Sequence, residues 1–233
     1  MSEGAPHVDS SAADPSHEAG RGSALSGRRW AAVREAVRTV VVAAVVVLGV
    51  RTGIALAYEV DGPSMEPTLR SGERLLVARC AYGLSIPYVR EALAIWALPD
   101  RGSIVILQSP VEPVDLVKRV IGLPGDVVEI RDDVVWLDGE PLVRREIGPC
   151  EADRQLHRDP SCRIFEERLG DKVWRTSRRR DPEDPEPTES HPPIIVPPGH
   201  LYVLGDHRDE SNDSRYFGPV PVSHLRGRVL FVD

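Results

Sequence analysis

The side chains that could perform covalent chemistry fall in three short segments: Gly62-Pro-Ser-Met-Glu-Pro-Thr-Leu69, Asp115-Leu-Val-Lys-Arg-Val-Ile-Gly-Leu-Pro-Gly-Asp126 and Gly205-Asp-His-Arg-Asp-Glu-Ser-Asn-Asp-Ser-Arg215. In the first, Ser64 stands between Pro63 and Pro67, whose rings keep the backbone extended or turning rather than helical. A serine in such a place is ordinarily a turn residue or a helix cap. The chemical alternative is a nucleophile held on a rigid turn, which needs a neighbouring base to take the hydroxyl proton.

Lys118 is the candidate for that base. If residues 115–121 form a strand, alternation puts Leu116, Lys118 and Val120 on one face and Val117, Arg119 and Ile121 on the other. On an edge strand such a lysine would snorkel to water and do nothing further. Between two buried aliphatic neighbours its ammonium would be desolvated and its pKa would fall towards neutrality. The free amine could then accept a serine proton. No metal or cofactor motif offers a substitute, so the expected chemistry uses neither.

In the third segment Asp206, Arg208, Asp209, Asp213 and Arg215 can pair with one another in a well-ordered loop. Ser211 or Ser214 can orient a nearby amine, as a triad's third member orients its base. His207 opens a rival arrangement, a triad of Ser64, His207 and Asp213, in which Lys118 would be dispensable.

The elements that would position these residues begin at Val60. Short runs rich in β-formers, at residues 74–79, 103–107, 116–121, 126–130, 134–137, 194–196, 201–204 and 229–232, alternate with Gly and Pro. Asp138-Gly139, between Val134–Leu137 and Pro141–Val143, is a two-residue hairpin signal. With no long amphipathic helical pattern after the N-terminal region, the expected fold class is mainly β: antiparallel, barrel-like sheets over residues 59–233, with a short helix near Val89 to Ala97. Residues 147–193, which include Arg178-Arg-Arg180 and a run of Pro, Asp and Glu over 181–187, read as an exposed insertion with solvated arginines.

Residues 1–35 read as a disordered cytoplasmic tail, rich in small and polar residues before the arginines begin. The apolar run of residues 39–50 is shorter than the roughly 20 residues a span needs. Extended to 36–58, with Arg38 snorkelling inward and Arg51 outward, it becomes a single transmembrane anchor. Arg28, Arg29, Arg34 and Arg38 put the N-terminus in the cytoplasm and the β domain outside. A cleaved secretory signal ending at Ala55-Leu-Ala57 is the alternative, and it exports the same domain. The formal net charge of −7 argues against a nucleic-acid partner. Cys80, Cys150 and Cys162 lack the paired spacings of a zinc site; outside the cytoplasm Cys150 and Cys162 could close a short loop, leaving Cys80 as a buried thiol.

Taken together, in this order and after an N-terminal apolar run, the three segments resemble the sequence boxes of bacterial type I signal peptidases, the serine-lysine proteases that remove signal peptides from exported proteins. Arg101-Gly-Ser-Ile-Val-Ile-Leu107 resembles a further strand box, and residues 147–193 lie outside the resemblance. The resemblance implies a membrane-anchored enzyme on the outer face of the cytoplasmic membrane, with signal peptides and the lipid bilayer as its partners. It implies Ser64 as nucleophile and oxyanion donor through its N–H, Lys118 as general base, and Ser211 as the hydroxyl that positions the Lys118 amine. Asp213 and Arg215 become a supporting ion pair, and Asp206 a neighbouring structural acid. The substrate would add as a strand along Glu59–Pro63 and Asp115–Val117, so Gly62 and Pro63 contact it, with Val60 and Leu116 lining pockets for small side chains. Some members carry an oxyanion-binding serine hydroxyl where this chain has Gly62, and many have Asn where it has His207.

Overall fold

The computed structural model describes residues 30, 33–44, 56–85, 91–150, 161–179 and 188–232. It divides into two units, residues 1–50 and 51–233. In the first, residues 33–44 are helical, with Val33, Val37, Val40, Val41 and Val42 all exposed. Residues 45–55, expected to complete the anchor, lie outside the described residues, as do 1–29 of the tail. Among the described residues no helix is long and apolar enough to cross a membrane. The expected span of 36–58 also ends too late, because residues 56–58 belong to the first strand and hydrogen-bond to a neighbour instead of continuing a helix.

Among its described residues the second unit is built of β-strands, with one turn of helix at Ser214–Phe217 and a 3-10 turn at Val222–His224. Its strands are β1 (Leu56–Glu59), β2 (Arg74–Ala78), β3 (Gly83–Leu84), β4 (Ala94–Ile95), β5 (Ile104–Gln108), β6 (Asp115–Gly122), β7 (Val127–Arg131) and β8 (Val134–Leu137). They continue with β9 (Glu140–Pro141), β10 (Val143–Pro149), β11 (Cys162–Leu169), β12 (Lys172–Arg179), β13 (His191–Ile195), β14 (His200–Leu204), β15 (Val220–Pro221) and β16 (Leu225–Val232). A seven-stranded antiparallel sheet runs β1-β2-β16-β5-β6-β14-β15, beside sheets of four (β13-β7-β8-β9), three (β10-β11-β12) and two strands (β3-β4).

Local chemistry explains much of this. Asp138 and Gly139, at φ 53° and 85°, make the turn that brings Leu137 opposite Glu140, as their pair of turn residues predicts. Alternate residues of β2 and β7 are buried, and they feed two of three apolar clusters. One cluster joins Val60, Met65, Leu69, Leu75, Val77 and Ile106, and so carries the end of β1 and the turn after it.

Three expectations are corrected. The helix near Val89 to Ala97 is absent from its described part, where β4 pairs with β3 and the backbone N–H groups of Leu93 and Trp96 go to Leu84 and Tyr82 carbonyls. Cys80 is exposed, because it lies in the turn two residues beyond the end of β2, outside the core. Residues 147–193, expected as a solvated insertion, contain β11, β12 and the start of β13. Phe165, Trp174 and Thr176 are buried, and Trp174 joins a core cluster. High charge hid these strands, yet charges across neighbouring strands pair, as Arg145 with Glu166 and Arg163 with Glu146 do. Arg178 is not solvated but lies against Asp133, Glu189 and Asp209. Cys150 and Cys162 form a disulfide at the open end of the β10–β11 pair.

Candidate active site

Ser64 sits on a tight turn whose ends are pinned from both sides. Glu66 N–H donates to Pro63 O, and Thr68 and Leu69 N–H groups both donate to Met65 O. Met65 and Leu69 are fully buried, each worth about 1.5–3 kcal/mol of removed apolar surface, so the turn is anchored by its hydrophobic residues while Ser64 stays half-exposed. Its backbone N–H has no hydrogen-bond partner among the described residues.

Lys118 approaches from β6. Its face holds Leu116 and Val120, which pack with Val105, Leu107 and Leu201, so alternation does place the amine among aliphatic side chains. Only 2% of the residue is exposed. The amine nitrogen lies 2.8 Å from Ser64 Oγ and 3.0 Å from Val117 O. Burial pulls its pKa down to about 8, against the opposing pull of the Asp213 and Asp206 carboxylates. At that value about a tenth of the amine is free at pH 7, against well under a thousandth at the ordinary lysine value of 10.5.

The loop after β14 closes the site from behind. His207 N–H donates to Ser64 O at 3.1 Å. A Cβ on Gly205 would stand 2.2 Å from Ser211 Oγ and 2.5 Å from Ser64 O, so only glycine allows the loop to approach this closely. Ser211, expected to orient the Lys118 amine, donates instead to Asp213 Oδ2 at 2.7 Å, and the Val117 carbonyl holds the amine. Asp213 also accepts from Gly205 N–H and from Arg215, and caps the helix Ser214–Phe217, so a single carboxylate fixes both ends of the loop. Asp206 is held in a bidentate pair with Arg119 at 2.6 and 2.8 Å. The His207 ring lies 4.0 Å from Glu66, and no hydrogen bond links it to the Ser64 hydroxyl.

Gly62 has φ 85°, and nothing lies within 4 Å of where its Cβ would be. Pro63 is exposed, Val60 is buried and Leu116 is half-buried. Along β6, residues Asp115 to Arg119 pair with β5 on one side, whereas β14 begins its pairing only at Arg119. Among the described residues no strand pairs with the other edge of residues 115–118, beside Ser64.

Sequence reasoning missed Arg119, Glu167 and Ser177. Arg119 is 5% exposed, donates to Gly102 O and lies over the Trp174 ring. The signal that singled out Lys118 applied to it too, since it stands between Val117 and Ile121 on the other face. Glu167 and Ser177 carried no local signal, because both lie in the segment read as an insertion.

A hydroxyl held against a buried amine of lowered pKa on an antiparallel β scaffold is an arrangement suited to acyl transfer, the chemistry of serine hydrolases. The family model described as signal peptidase, peptidase S26, matches residues 33–232, and the chain belongs to that family. It is a serine endopeptidase, and its family's work is the removal of signal peptides from preproteins. The match runs through residues 147–193, which the three boxes alone had left outside. Signal peptidase I of Pseudomonas fluorescens is 30% identical over 203 residues, spanning 80% of this chain and 67% of that one. Signal peptidase I of Bacillus licheniformis is 32% identical over 199 residues, spanning 85% and 87%. A crystal structure of an Enterococcus faecalis signal peptidase I, 33% identical, covers 58% of this chain and 98% of that chain with a TM-score of 0.35.

Proposed function

We propose that the chain cuts signal peptides from exported preproteins after small-x-small residues, with Ser64 as nucleophile and Lys118 as general base. The observation that carries this reading is the 2.8 Å contact between Ser64 Oγ and a buried amine of lowered pKa. Neutral Lys118 takes the Ser64 proton as Oγ attacks the carbonyl of the residue before the cut. The resulting ammonium then supplies the proton that the leaving amine needs. Water hydrolyses the acyl-enzyme with Lys118 again as base. The unpartnered Ser64 N–H receives the oxyanion; with glycine at position 62, water or another backbone group supplies the second contact.

The substrate adds as a strand to the free edge of Asp115–Val117, and to Glu59–Pro63 opposite. Leu116 and Val60 bound the shallow pockets, which is why only small side chains fit. Ser211, Asp213 and Arg215 keep the loop that backs Ser64 in place. Anchored through the apolar run that ends before β1, the enzyme works on the outer face of the cytoplasmic membrane with its N-terminus inside; the Cys150–Cys162 disulfide supports an oxidising compartment.

The test is preprotein cleavage by membranes carrying wild type, Ser64→Ala or Lys118→Ala. Loss of cleavage in both variants is expected, and persistence in both would sink the mechanism. A triad using His207 is disfavoured by the ring's position beside Glu66.

A further inference from the structure

We propose that the hairpin of β11 and β12 is a positioning element of the active site, acting through Ser177 and Glu167; this rests on Ser64 being the nucleophile. Ser177 is 1% exposed and binds both segments that frame the nucleophile. Its N–H donates to Asp206 O at 2.9 Å, and its carbonyl accepts from Arg208 N–H at 3.0 Å, a short bridge that extends the sheet onto the loop behind Ser64. Its hydroxyl donates at 3.0 Å to Glu66 O, two residues beyond the nucleophile. Two residues earlier on the same strand, the Arg175 carbonyl accepts from Thr68 Oγ1 at 3.3 Å. β12 is thus hydrogen-bonded at once to the Ser64 turn and to the loop that grips the Ser64 carbonyl.

Glu167, 1% exposed on β11, secures the same loop from the other side. Its carboxylate takes Arg208 Nη2 at 2.5 Å, while Arg208 Nε donates to Gly205 O at 3.2 Å. Gly205 is the residue that lies directly against Ser64 O and Ser211, and His207 donates to that same carbonyl. A shift of the loop therefore moves the Ser64 backbone, including the N–H that faces the oxyanion. It also admits water to the space that keeps the Lys118 amine desolvated. Neither residue touches the reacting atoms, so the consequence falls on their alignment and on the amine's pKa, where small displacements are costly.

The experiment uses the full chain in membranes, with Ser177→Ala, Glu167→Gln and Ser64→Ala compared for preprotein kcat, KM, the pH dependence of kcat, and thermal unfolding. Expected for Ser177→Ala and Glu167→Gln are a kcat lowered about tenfold or more, an unchanged KM, and a kcat midpoint moved to higher pH as the amine is hydrated. Wild-type kcat and midpoint in both overturn the proposal, and so does a rate loss that only tracks lost folded protein with the midpoint unmoved. Should Glu167→Gln fail to fold, Ser177→Ala, which removes one hydroxyl, decides alone. If Ser64→Ala cleaves normally, the nucleophile assignment fails; if it is inactive while Ser177→Ala behaves as wild type, only the positioning role fails.

Discussion

Lys118 Nζ lies 2.8 Å from Ser64 Oγ, and its second contact is the carbonyl of Val117, the residue before it. The amine is thereby aimed at the hydroxyl by its own strand. Ser64→Ala and Lys118→Ala should each lower kcat by roughly 10⁴-fold or more, as loss of a nucleophile or its base does elsewhere. Lys118→Arg should be equally inactive, because a guanidinium stays protonated. His207→Ala should retain most of the activity. Preprotein cleavage measures all four.

The pH dependence follows from the lysine. Its amine is protonated below about 8, so kcat should fall about tenfold per pH unit well below that value and level off above it. A midpoint near the usual lysine value of 10.5 would show that burial does not tune the base.

The same burial opposes stability. Because the folded pKa is depressed, the protein binds fewer protons than the unfolded chain between about 8 and 10.5, and stability attributable to this group rises with pH across that window. Below it the ammonium is held at full cost, about 3 kcal/mol at some 1.4 kcal/mol per pKa unit. Lys118→Met should therefore raise the unfolding midpoint at pH 7 while abolishing activity, as denaturant titration would show.

Arg119 and Asp206 form a pair with both side chains under 10% exposed, at 7% and 1%. Removing one partner strands a charge in the interior, so Asp206→Ala should cost about 3–5 kcal/mol. Urea unfolding checks this, and the double variant Asp206→Ala, Arg119→Met should recover part of the loss.

The disulfide spans a sequence separation of 12 residues. In the chain-entropy model Cys150→Ser with Cys162→Ser should lower stability by about 3 kcal/mol. A reducing agent should do the same to wild type and nothing further to the variant, as thermal melts would reveal.

Much of this was legible from local pattern. The strands that frame Lys118 alternate with a period of two, and Asp138-Gly139 demanded its turn, so the β class and the aliphatic face of β6 followed from residue order. Both faces of β6 proved buried, however. Alternation names the faces and does not say which meets water, so Arg119 was passed over beside Lys118. The charged stretch of residues 147–193 misled for a related reason: its Arg and Glu residues neutralise one another across strands, a pairing invisible in a linear composition.

The sequence by itself determined the scaffold and the candidates: short β-runs, a proline-framed Ser64, and a lysine between Leu116 and Val120, because these depend on neighbours within a few residues. Only the tertiary structure decided that Lys118 meets Ser64, that the Ser211 hydroxyl goes to Asp213, and that β12 ties the nucleophile's turn to the loop behind it. Those contacts join residues distant in the chain, and the burial that tunes the amine exists only once the strands have closed around it.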